Sequence, residues 1–235
     1  EIGVLRSAVL ATAPGPTLRV LCLHGGGANA AIMRHQTRFL RDELQGRVEF
    51  SYLDGTRPWT DPVAASVQAL NAQLNGADVF GWYGVTQTST GTDALGDVHA
   101  RFTYTDVDVA LAHVRRRLDE DGPFDALLGF CQGASVITML ASEYQTLGTP
   151  IPWSLTVLVA GLAPRSGDAH VCAPLRVPCT LMYGERDELR HVCAMTEALY
   201  DCPLVFVHRG GHEFPLESGC RDLAAHMWLR MTASQ

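Results

Sequence analysis

Six short apolar runs punctuate this chain, at residues 18–23, 48–53, 126–130, 155–160, 179–183 and 204–208. Several are apolar at nearly every position. A strand with one face in water alternates apolar and polar residues, whereas a strand covered on both faces has no reason to alternate. Helical patterns lie between most of these runs, and parallel strands need such crossovers to return to the same edge of a sheet. The expected fold is therefore α/β, a doubly wound, mainly parallel sheet of about six strands.

The helices can be read from their stripes. Ile32, Phe39, Leu40 and Leu44 share one face of a segment at 31–45, and Val107, Leu111, Val114 and Leu118 recur at spacings of four, three and four. Asp106 and Asp108 near the start of that second helix and Arg115, Arg116 and Arg117 near its end suit the helix dipole. Gly122-Pro123 then stops it, so the arginine triplet reads as a helix end rather than a partner site. Segments 62–75, 134–147, 189–200 and 216–230 read as further helices. The length of 235 residues suits one domain spanning 1–235. Residues 56–101 break the alternation: they are rich in Gly and Thr and hold Trp59, Phe80, Trp82 and Tyr83. So long a connection is expected to be lid-like. Its aromatics either line a substrate pocket, with Trp59, Trp82 and Tyr83 as the binding residues, or close the edge of the core.

Composition excludes several classes of partner. With 47% hydrophobic and 18% charged residues the chain has the make-up of a packed globule. A net charge of −7 and no basic block beyond the arginine triplet disfavour nucleic acid and anionic membrane surfaces. No apolar run approaches the ~20 residues that span a bilayer, and residues 1–13 are too interrupted for a signal peptide. The seven cysteines lack CxxC spacing, which suggests neither a disulfide framework nor a zinc site and fits a reducing, cytoplasmic setting. No metal, flavin or nucleotide cofactor is implied. The sequence Leu23-His24-Gly25-Gly26-Gly27 lacks the spacing of a phosphate-binding loop, and His24 reads as a structural residue of the strand end.

Four segments carry chemistry. Gly129-Phe130-Cys131-Gln132-Gly133 follows the apolar run 126–130 and opens an apolar helix. A nucleophile between strand and helix in G-x-Nuc-x-G is held in a tight turn that exposes its side chain and aims a helix N-terminus at the reacting carbonyl. Tyr183-Gly184-Glu185-Arg186-Asp187 follows the fifth run, and Arg209-Gly210-Gly211-His212 follows the sixth. His212 can take and return the proton of Cys131, and Asp187 can hold the ring in the useful tautomer. Glu185 could compete with Asp187. Nucleophile, acid and histidine come in the chain order that α/β-hydrolases use. The backbone N–H groups of Gln132 and of Gly26, in the loop after the first run, are the candidate oxyanion donors.

The blocks VLCLHGGGANAAIMRHQTRFL, VEFSYLDG, FDALLGFCQGASV, GERD and GGHEFP resemble those of the FSH-type serine hydrolases, a branch of the α/β-hydrolases, over about residues 17–230. The resemblance implies that the nucleophile falls on Cys131, the acid on Asp187 and the histidine on His212. It also implies action on acyl thioesters in fungal polyketide pathways. Two positions depart from the family pattern: Cys131 stands where the family has Ser, and Ala160-Gly161-Leu162 stands where an SGF-like segment is usual. A cysteine attacking a thioester exchanges one thioester for another, so the acyl group stays activated. The expected activity is thus thioester hydrolysis or acyl transfer through acyl-Cys131, on a chain carried by CoA or an acyl carrier protein. The acceptor is water, an alcohol, an amine or the enolate carbon of a second chain in a Claisen-type fusion. The competing readings are a non-catalytic binding module on a hydrolase scaffold and a redox enzyme using Cys131 as its reactive thiol.

Overall fold

The computed structural model describes residues 17–74, 76–92, 98–164 and 171–233, with backbone alone at 88–92 and 98–101. The run at 1–13 and the centre of the 56–101 insertion, residues 93–97, lie outside these. In chain order the elements are β1 (Leu18–Leu23), α1 (Ala30–Gln36), α2 (Arg38–Glu43), β2 (Val48–Leu53), β3 (Arg57–Pro58), α3 (Ala65–Gln73), β4 (Phe80–Gly81), β5 (Gly84–Thr92) and β6 (Val98–Thr105). They continue with α4 (Val107–Asp121), β7 (Ala126–Phe130), α5 (Gln132–Thr146), β8 (Leu155–Val159), β9 (Cys179–Gly184), α6 (Arg190–Glu197), β10 (Leu204–His208) and α7 (Glu217–Thr232).

Six of the strands form one sheet in the order β2-β1-β7-β8-β9-β10, and every pairing in it is parallel. Alternate residues of β1 explain why the sheet is covered on both faces. Leu21 and Leu23 pack with Leu127 of β7 against Ala110 and Val114 of α4 and Ile137 and Leu140 of α5. Leu18, Val20 and Cys22 pack with Leu128 against Met33, Leu40, Leu223 and Met227 from α1, α2 and α7. Each such side chain contributes about 1.5–3 kcal/mol when fully buried. The chain leaves β1 for β2 on one side and later crosses β1 to reach β7 on the other. The loops after β1 and β7 therefore diverge, and the sheet opens a crevice at their carboxyl ends.

Three details depart from the sequence reading. The helix expected over 31–45 is two helices that meet at Thr37. Its buried hydroxyl donates to Met33 O (2.9 Å) and shares a 2.8 Å hydrogen bond with Tyr52 Oη. The strand expected over 155–160 stops at Val159 because Ala160 turns to φ 48°. The insertion is built, in part, as regular structure. β3 pairs with β4, and Gly84–Thr92 pairs antiparallel with Val98–Thr105 as a hairpin. Within the insertion, Trp82 and Tyr83 belong to the core: Trp82 is 0% exposed and its indole N–H donates to His24 O (2.7 Å). Of the two roles open to this aromatic pair, closing the core is the one their burial allows, and this corrects their placement as substrate-binding residues. The arginine triplet is occupied locally: Arg115 pairs with Glu143, Arg117 with Asp121, and Arg116 bonds His113 Nδ1.

Candidate active site

Cys131 stands between β7 and α5 with φ 49° and ψ −112°, a conformation that costs a residue with a Cβ about 1–3 kcal/mol. Its surroundings enforce the turn. The Cys131 N–H donates to Val159 O of the neighbouring strand (3.0 Å), and its own carbonyl accepts from the N–H groups of Ala134 and Ser135. The flanking glycines have no space for a side chain: a Cβ on Gly129 would lie 2.5 Å from the Ala134 backbone, and one on Gly133 would lie 2.4 Å from Leu23 O. Cys131 is partly exposed at the sheet's carboxyl edge.

Asp187 lies in the turn after β9, and its carboxylate is completely buried. Each of its oxygens is engaged. Oδ1 accepts from the Leu189 N–H (2.8 Å), and Oδ2 accepts from His212 Nδ1 (2.9 Å). Glu185, the competing acid, is exposed and takes no part. The acid turn and the histidine turn are locked to each other: the Glu185 N–H donates to His208 O (2.7 Å) and the Arg186 N–H to Gly210 O (3.0 Å). Gly184 permits this approach, since a Cβ there would meet Gly210 O and Gly211 O at 2.3 Å.

His212 is thereby held by Asp187 through Nδ1 and stands close enough to Cys131 for that residue to shift its pKa. Its ring also leans on Phe130, at 5.3 Å between centroids. Burial alone would lower the pKa of this imidazole. Its interactions with Cys131 and Asp187 outweigh burial and raise the pKa to about 9.

The loop after β1 closes the other side of the site. A Cβ on Gly25 would be 3.3 Å from Cys131 Cβ, and one on Gly26 would be 3.4 Å from Gln132 Oε1. The Gly27 N–H is committed to Phe80 O (2.9 Å), whereas the N–H groups of Gly26 and Gln132 donate to no described group. Trp59 lies against Gly26 and Gly27 and is partly exposed. His24 is structural: Nε2 accepts from the Gly55 N–H (2.9 Å), so Nδ1 carries the proton and donates to Gly25 O (2.7 Å). Burial depresses its pKa. Among the described residues no group of three or more His, Cys, Asp or Glu side chains is arranged to hold a metal ion.

Two contributors were missed in the sequence. The Gln132 side chain clamps the insertion to the elbow: Oε1 accepts from the Trp82 N–H (2.8 Å) and Nε2 donates to Tyr83 O (3.0 Å). No local pattern signals a clamp of that range. Cys193 directs its thiol at Asp187 Oδ2 (3.9 Å), one turn into α6, and burial followed by the Asp187 charge pushes its pKa to about 12. By contrast, the Leu189 N–H on Asp187 is a turn in which an Asp side chain caps the amide two residues on, which was readable.

The model of the family described as serine hydrolase (FSH1) matches residues 13–222. An esterase named OVCA2 from Xenopus tropicalis is 28% identical over 206 residues, covering 84% of this chain and 86% of its own. Esterase FPY3 from Fusarium mangiferae is 27% identical over 214 residues, covering 84% and 88%. Among solved structures, SOBER1 from Arabidopsis thaliana superposes with a TM-score of 0.57 at 16% identity, covering 92% of this chain and 99% of that one.

Proposed function

The chain belongs to the FSH1 serine hydrolase family and is a hydrolase of the α/β-hydrolase fold, and from that premise we propose that it acts on acyl thioesters through a covalent acyl-Cys131 intermediate. The observation that carries the reading is the line from Cys131 through His212 to the buried Asp187, built at a strand-to-helix elbow.

The steps follow from that line. The Cys131 sulfur attacks the thioester carbonyl while its proton resides on His212 Nε2. The carbonyl oxygen becomes an anion facing the N–H groups of Gln132 and Gly26, next to the positive end of α5. The intermediate collapses by breaking the bond to the leaving sulfur, which takes the proton from His212. Acyl-Cys131 remains. An acceptor then gives its proton to His212, attacks the acyl carbon and releases Cys131, which recovers the proton. Asp187 holds Nδ1–H throughout and stabilises the imidazolium, but is not itself protonated.

Cysteine in place of the family's serine supports transfer as well as hydrolysis, because acyl-Cys131 keeps the activation of the incoming thioester. Water gives the free acid, an alcohol or amine gives an ester or amide, and an enolate carbon gives a Claisen-type product. The acyl group would arrive on CoA or a carrier protein, within polyketide or fatty acyl metabolism. The test is to incubate the enzyme with octanoyl-CoA and each acceptor class and to assay the products beside Cys131→Ala. The reading expects Cys131→Ala to lose at least about three orders of magnitude in kcat. Undiminished turnover by that variant overturns the nucleophile, and free acid as the sole product with every acceptor overturns transfer.

A further inference from the structure

We infer that Trp59 sets the length of acyl chain the enzyme accepts, by standing as the wall of the acyl cleft beside the oxyanion loop. This rests on the acyl-Cys131 reading. The indole lies across the α-carbons of three glycines drawn from two segments. A Cβ would come within 2.8 Å of the ring at Gly26, 3.0 Å at Gly27 and 2.8 Å at Gly81. A side chain at any of the three would displace the ring, so together they form a slot for it.

The backbone that carries the ring is tied to the loop the ring touches. The Trp59 N–H donates to Val79 O (3.0 Å), and the preceding Pro58 pairs with Phe80. Phe80 in turn bonds the oxyanion loop through both of its backbone groups: its N–H donates to Ala28 O (2.7 Å) and its carbonyl accepts from the Gly27 N–H (2.9 Å). Trp59 therefore keeps its position relative to Gly26. The buried indole Nε1 has no acceptor among the described residues, so contact rather than a side-chain hydrogen bond holds the ring.

Trp59 also differs from Trp82. Trp82 is sealed in the core, whereas Trp59 keeps part of its surface open. A carbonyl oxygen held by the N–H groups of Gly26 and Gln132 puts the carbons of its acyl chain close to the Gly26 α-carbon. The wall at that point is the indole, with Gln132 Oε1 3.4 Å from a Gly26 Cβ and Val63 Cγ2 3.2 Å from a Gly27 Cβ. Shortening the wall lengthens the space for chain.

The test compares kcat/KM for butyryl-, octanoyl- and dodecanoyl-CoA in wild type, Trp59→Phe and Trp59→Ala. Trp59→Phe keeps a wall and loses no hydrogen bond, so its ratio of dodecanoyl to butyryl turnover stays within about threefold of wild type, whereas Trp59→Ala raises that ratio about tenfold or more. A folded Trp59→Ala whose ratio is unchanged, or whose activity falls equally on all three substrates, overturns the inference. If Trp59→Ala does not fold, Trp59→Leu takes its place with the same expectation. Intact mass on the same samples separates the two readings. Absence of an acyl adduct on wild-type Cys131 removes the acyl-enzyme reading itself. An adduct together with an unchanged chain profile in the variant removes the role of Trp59 alone.

Discussion

At Cys131 the backbone adopts a left-handed φ that residues with side chains seldom take, and the cost is met because strand, helix and both flanking glycines leave no alternative. What that conformation yields is a thiol beside an imidazole whose Nδ1 is tied to a buried carboxylate. Asp187→Asn keeps the shape but favours the wrong tautomer of His212. It should lower kcat by about 10³–10⁴-fold in a protein that still folds, measured by steady-state kinetics beside thermal unfolding. Cys131→Ala removes one of the two acidic neighbours that raise His212 to about 9, so the imidazole pKa of the variant should fall, as read by NMR titration of the ring. The sign for stability follows. A pKa raised by folding stabilises fully below the ordinary imidazole value of 6.5 and loses that contribution as pH rises through about 9. The difference in unfolding free energy between wild type and His212→Ala should shrink over that interval, and a difference that grows with pH would contradict the assignment.

Among the elements, β7 and α5 meet the loop after β1 with no spare volume. Gly133→Ala drives a methyl to 2.4 Å from Leu23 O and 2.6 Å from His24 O, both backbone atoms that cannot swing aside. It should cost about 1–3 kcal/mol of stability in denaturant unfolding. Gln132 makes a separable contribution, since its backbone N–H faces the site while its side chain holds the insertion. Gln132→Leu leaves the buried Trp82 N–H without its 2.8 Å acceptor, which should destabilise the protein by about 1–3 kcal/mol. Because its backbone donor is retained, activity per folded molecule should stay within about tenfold of wild type. The six strands of the main sheet were legible because burial on both faces writes a continuous apolar run into each. The hairpin Gly84–Thr92 with Val98–Thr105 was not, because its Thr- and Gly-rich residues carry no apolar run to mark it. The break at Thr37 has no mark in the sequence for a different reason: a hydroxyl that bonds the carbonyl four residues back leaves the apolar stripe of a continuous helix intact.

For the molecule as a whole, the site is a product of the sheet's order. Residues 131, 187 and 212 follow β7, β9 and β10 at the carboxyl edge, and the loop after β1 reaches them because β1 lies beside β7. Sequence could identify these residues by motif and chain order, since each glycine-rich turn follows an apolar strand. It could not measure their separations, nor show that Asp187 is buried and Glu185 exposed, because both depend on packing between distant segments. Trp59, Trp82 and Tyr83 could not be sorted for the same reason: similar rings in one insertion divide between core and site edge according to contacts some fifty residues away, such as the Gln132 clamp. The central claim is that sulfur 131 carries the acyl group. Rapid quenching of the enzyme with octanoyl-CoA at neutral pH, followed by proteolysis and peptide mass mapping, tests it directly. The account predicts an octanoyl group on the peptide containing Cys131, formed within one turnover and removed by a thiol acceptor. An unmodified Cys131 peptide during rapid turnover, or the acyl group found on another residue, would contradict it.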